Sequence, residues 1–95
     1  MTTDSGVRRR LYEAILKLES VEECEKFLED LCTVRELMDL SQRLEVASML
    51  RQGNNYQAIC KQTGASTATI CRVGKCLNYG PGGYTMVLER MEGEK

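Results

Sequence analysis

Apolar positions recur along the first half of the chain with the period of a helix. Val7, Leu11, Ala14, Ile15 and Leu18 fall on one face, with Arg8, Arg9, Glu13 and Lys17 elsewhere, which predicts an amphipathic first helix. Ser20 followed by Glu23 has the spacing of a capping box and opens a second helix whose apolar side is Cys24, Phe27, Leu28 and Leu31. Thr33 and Glu36 repeat the device. They start a longer third helix with Leu37, Leu40, Leu44, Ala47 and Leu50 in line, ended near Gly53 by "QGNN".

Beyond Gly53 the pattern shortens. Tyr56 to Gln62 gives barely two turns before Gly64, and a new helix starts at Ser66 or Thr67. "NYGPGG", residues 78 to 83, gathers glycines around the single proline and interrupts that helix, and "YTMVLERM" reads as a last short one. The expectation is an all-α domain of six helices without a strand, with frayed ends at residues 1 to 6 and 92 to 95.

The short pair around Gly64 has the arrangement of a helix-turn-helix, where a glycine supplies the left-handed backbone of a tight turn at little steric cost. Ile59, Ala65, Ile70, Val73 and Leu77 are placed inward, with small Cys60 where the helices approach each other. That assignment turns Ala68, Cys71, Arg72 and Lys75 outward, beside an exposed first turn of Ser66, Thr67 and Thr69. Small side chains, hydroxyls and cations on one helix face suit a major groove: the backbone can come close, and Arg or Lys can reach guanine or phosphate.

Charge strengthens this reading. The net charge is −1, yet all 14 carboxylates lie in residues 1 to 45 or 89 to 95, and the stretch 46 to 88 holds only cations, Arg51, Lys61, Arg72 and Lys75. Arg51 and Lys61 are candidate phosphate contacts, and the acid-free stretch is what a polyanion partner needs. The run Arg8, Arg9, Arg10 reads as a solvated stripe, and Tyr79 and Tyr84 as rings packing the "GPGG" turn against the body.

Other classes find little support. Five cysteines without a CxxC pair, and no histidine, argue against a disulfide framework or a zinc finger and for reduced, mostly packed thiols. No residue set offers a catalytic base or a phosphate-binding glycine loop, so neither an enzyme nor a cofactor is expected. Cys71, beside Arg72 and Lys75, is a candidate redox-sensitive thiol, set against a small residue tolerated at a DNA contact. No apolar run reaches the roughly 18 residues of a membrane span, which points to a cytoplasmic protein. With 95 residues the chain is expected to form one domain. A domain of that size buries only about two thirds of its unfolded surface, so a partner subunit is a natural source of extra core.

From Leu44 through Leu77, and above all in "LR" at 50 and 51 and "GASTATICR" at 64 to 72, the chain resembles the Trp repressor superfamily, in particular its YerC/YecD-like branch. The resemblance implies an intertwined homodimer with residues 7–52 and 84–91 in a shared core and residues 56–79 as a helix-turn-helix head. It implies DNA-facing positions at Gln57, Thr67, Ala68, Thr69, Cys71 and Arg72, and regulation of transcription, by default as a repressor. The family's tryptophan pocket carries over badly. Of its two arginines one matches Arg72 and the other falls on Gln42, while Val73 and Cys76 replace smaller or hydroxylic neighbours. Tryptophan is therefore not expected as effector, because a lost charge partner and a filled pocket each weaken binding. The competing expectation is a helical dimer that holds a protein partner without specific DNA binding.

Overall fold

The computed structural model describes residues 4–93, which form six helices and, among the described residues, no strand. In chain order these are α1 (Asp4–Ile15), α2 (Val21–Leu31), α3 (Val34–Arg51), α4 (Tyr56–Thr63), α5 (Thr67–Tyr79) and α6 (Gly83–Gly93). The expected helix count and class are met, and several boundaries move. Residues 4 to 6 are helical where fraying was expected, with Asp4 in the first turn, where a carboxylate favours the helix dipole. Residues 92 and 93 close α6, and the other residues expected to fray lie outside the described ones. Leu18 falls beyond α1, after a tightened end in which Lys17 N–H donates to Ala14 O and Leu18 N–H to Ile15 O. Asn78 and Tyr79 continue α5, contrary to expectation; the break comes at Gly80, whose successor Pro81 disfavours helical backbone before it.

The chain divides into two compact units, one up to Leu37 and the other from Met38. In the first, the two capping devices are formed. Glu36 N–H donates to the Thr33 hydroxyl at 3.0 Å, and Thr33 N–H donates to the Glu36 carboxylate at 2.9 Å, a complete reciprocal box. At α2 the Glu23 N–H donates to Ser20 Oγ at 3.1 Å, while the Glu23 carboxylate takes the N–H of Glu19, one residue earlier than the standard box. No described residue of this unit is buried. Val21 is 69% exposed and Leu31 50% exposed.

The second unit holds the core. Val46, Ala47 and Met49 of α3 meet Ile59 of α4, Ala65 of the turn, Ile70 and Val73 of α5 and Leu88 of α6, with Leu50, Cys60, Leu77 and Tyr84 packed around them. The α3 stripe drawn from periodicity is therefore only partly the buried one. Ala47 and Leu50 belong to it, but Leu40 and Leu44 face solvent, and Val46 and Met49 take the inner places. The helix has two apolar faces. A periodic pattern marks both without saying which one the same chain covers.

Candidate nucleic-acid interface

The head is built outward from its core. Asn55 caps α4 by accepting the Ala58 N–H at 2.9 Å, and the helix closes on Gly64, which adopts φ 75° and donates its N–H to Cys60 O at 2.9 Å. An L side chain rarely takes that left-handed conformation, so glycine is what lets the chain turn there. Thr63 braces the same turn: its hydroxyl donates to Ile59 O at 2.7 Å and accepts from Ala65 N–H at 3.1 Å. Ala65 is then buried, and Ser66 caps α5 by accepting the Thr69 N–H at 3.1 Å. Ile59, Ile70 and Val73 are sealed at 0%, 0% and 1% exposure, which anchors one side of α5 and fixes the rotation of the other.

The opposite side presents Thr67, Ala68, Cys71, Arg72 and Lys75 to solvent, with Gln57 and Lys61 exposed on α4. Two of the hydroxyls expected on the exposed first turn are engaged with each other. Ser66 Oγ, besides capping, donates to Thr69 Oγ1 at 3.1 Å, and Thr69 is half-buried. Thr67 is left as the hydroxyl most open to a groove. Arg51, expected at a phosphate, is engaged within the chain. Its guanidinium lies 3.6 Å from Glu89 Oε1 and 3.4 Å from Glu92 Oε1, so α6 supplies the counter-charge that its own stretch of sequence lacks. Lys61, Arg72 and Lys75 have no such ion pair among those found in the described residues.

Of the residues expected as the remnant of an effector pocket, Arg72 is exposed on α5. Val73 is in the core, and Gln42 of α3 donates its side-chain N–H to Thr63 O at 3.1 Å. Cys76 lines an apolar hollow of about 470 Å³ with Leu44, Pro81, Tyr84 and Val87, none of them charged. Tyr84 packs against the core as expected, but Tyr79, 87% exposed, does not. All five cysteines are free; Cys24, Cys32 and Cys60 are half-buried, whereas Cys71 and Cys76 are exposed rather than packed. Among the described residues no cluster of metal-ligating side chains occurs, and no helix is long and apolar enough to cross a membrane.

Two short helices joined by a glycine turn over a buried core, with an acid-free face turned outward, have the arrangement of a helix-turn-helix. Residues 8–92 match the model of the family described as Trp repressor protein, and the chain belongs to that family of DNA-binding regulators. It is 55% identical over 83 residues to the uncharacterised protein YerC of Bacillus subtilis strain 168, a match spanning 87% of this chain and 80% of that one. Its fold is similar to that of a crystallised proposed Trp repressor from Staphylococcus aureus, with TM-score 0.88, 52% identity, and 90% and 86% of the two chains covered. A TrpR-like protein from Eubacterium eligens is comparable, with TM-score 0.86, 51% identity, and 88% and 87% covered.

Proposed function

We propose that the protein is a cytoplasmic, homodimeric regulator that binds specific sites in double-stranded DNA through its helix-turn-helix, acts as a repressor, and does not respond to tryptophan. The observation that carries this reading is the face of α5. A sealed inner side holds Thr67, Ala68, Cys71, Arg72 and Lys75 outward, with no carboxylate between Val46 and Leu88 to repel phosphate. Gln57 and Lys61 extend the face along α4, and Ser66 and Thr69 shape its first turn. The unit up to Leu37, which buries none of its described residues, supports a dimer in which a second copy covers the apolar sides of α1 and α2. Tryptophan is disfavoured because the amide of Gln42 is engaged and Val73 is packed, leaving Arg72 without a facing cation.

The test is binding to duplexes selected from random DNA, measured over a range of salt. With Arg51 paired to α6, Lys61, Arg72 and Lys75 of two subunits would neutralise about six phosphates, giving a slope of log K against log salt of about −5. Thr67→Ala should blur sequence preference more than it lowers bulk affinity. Lys61→Gln should weaken all duplexes alike and flatten the slope by about 2 in the dimer. A slope near zero in the wild-type chain would reject DNA and favour a protein-interaction module.

A further inference from the structure

Among the hydrogen bonds of the second unit, the one from Gln42 to the Thr63 carbonyl spans 21 positions and ties the middle of α3 to the end of α4. Helix ends leave their last carbonyls without internal partners. In α4, a helix of only eight residues, Gly64 N–H satisfies Cys60 O, and the Gln42 amide satisfies Thr63 O. The bond is half-buried, so the donor is shielded from competing water, and it lands on the residue whose hydroxyl already bridges Ile59 O and Ala65 N–H. Thr63 is thus held from both sides: its side chain fixes the inside of the turn, and its backbone is fixed to α3. Ser66, the cap of α5, follows three residues later, so this anchor adds to the buried Ile59, Ala65, Ile70 and Val73 in setting the direction in which α5 leaves the turn.

We infer that Gln42 is a positioning residue that biases the turn, and with it the recognition helix, toward one placement on α3 without any ligand, so that the reading head needs no small-molecule effector to set its orientation. The inference rests on the DNA-reading role of α5. A hinged head would leave the linking carbonyl to water and let the turn pivot about Gly64, whose backbone is unconstrained by a side chain. An internal donor of fixed length removes that freedom in the absence of any ligand. The polar amide at this position is then explained by the carbonyl opposite it, and the half-buried setting explains why a donor, rather than any chain of similar size, is required.

Gln42→Met keeps side-chain length and net charge and removes the donor. In the full-length protein, backbone amides of Gly64 and Ala65 should exchange with deuterium about fivefold faster than in the wild type, with Leu88 unchanged. Affinity for a selected duplex should fall about fivefold to tenfold at an unaltered salt slope, because the cations that meet phosphate are still present. Gln42→Lys restores a donor beside the negative end of α4 and should return turn exchange to near wild type; as it adds charge, it is read by exchange alone. A panel of free amino acids should change wild-type DNA affinity by less than twofold. Wild-type exchange and affinity in Gln42→Met, or fast exchange in Gln42→Lys, would overturn the tether. Tightening of tenfold or more by any amino acid would overturn effector independence. If the wild type binds no duplex, the DNA-reading role fails by itself, and the exchange data still decide whether Gln42 holds the turn.

Discussion

The two units carry apolar stripes of similar regularity and use them in opposite ways. From Met38 onward the stripes of α3, α4, α5 and α6 close on one another, and eight side chains are removed from water. Up to Leu37, helices with well-made caps keep every described apolar side chain at least partly wet. Local helix formation and tertiary burial are thus separable: caps and periodicity suffice to draw α1 and α2, but a short helix has little stability of its own without a packed face. The second unit therefore carries a core within one chain, whereas the first buries none of its described side chains, the face that the proposed dimer would cover.

Equivalent truncations in the two units should break that comparison most sharply. Ile59→Ala removes a sealed side chain from the head and should cost about 2–5 kcal/mol of folding free energy, read from denaturant unfolding, with the dimer dissociation constant barely changed. Leu31→Ala removes a side chain that is half exposed in the single chain. If a second copy covers it, two lost contacts per dimer should weaken association about 30-fold in sedimentation experiments. An unchanged association constant for Leu31→Ala would show that the bare face is not the dimer surface.

A smaller effect should sharpen the account of why the head closes on itself. At Gly64 an added Cβ would meet nothing within 4 Å, so steric clash with neighbours plays no part and only the backbone conformation at φ 75° resists. Gly64→Ala should cost about 1–2 kcal/mol, the ordinary penalty of left-handed backbone for an L residue. A loss well below that range in a thermal melt would mean that the turn relaxes to another shape, and the head would then be less self-determined than its packing indicates.

Much of this was legible from local spacing. Ser20 with Glu23, Thr33 with Glu36, the turn at Gly64 and the inward set of Ile59, Ala65, Ile70 and Val73 all depend on residues within a few positions of one another. What was missed depends on distance along the chain or on partners. The choice of Val46 and Met49 over Leu40 and Leu44 is decided by which helices return to α3, and hydrophobic periodicity has no access to that. Gln42 looked like a lost arginine because its acceptor, a backbone carbonyl 21 residues away, leaves no mark in side-chain chemistry. Spacing places Thr69 on an exposed turn, yet it is half-buried and accepts from the hydroxyl of the cap, Ser66.

The smallest expected effect concerns whether the second unit is self-contained in charge as it is in packing. Arg51 belongs to the acid-free stretch by sequence, yet Glu89 and Glu92 reach it from α6 across about 40 positions. An exposed pair of this kind contributes only about 0–1 kcal/mol, so Glu89→Gln with Glu92→Gln should leave the melting temperature nearly unchanged. Electrostatics at the DNA surface should respond more visibly. Freed from both carboxylates, Arg51 could meet a phosphate in each subunit, steepening the salt slope of the dimer by about 2, whereas Arg51→Gln in the otherwise wild-type chain should leave the slope where it was. If Arg51→Gln alone flattens the slope, the guanidinium already exchanges its carboxylates for phosphate on binding. The acids of α6 would then act as counter-ions that DNA displaces, and the head would be closed by packing but open in charge.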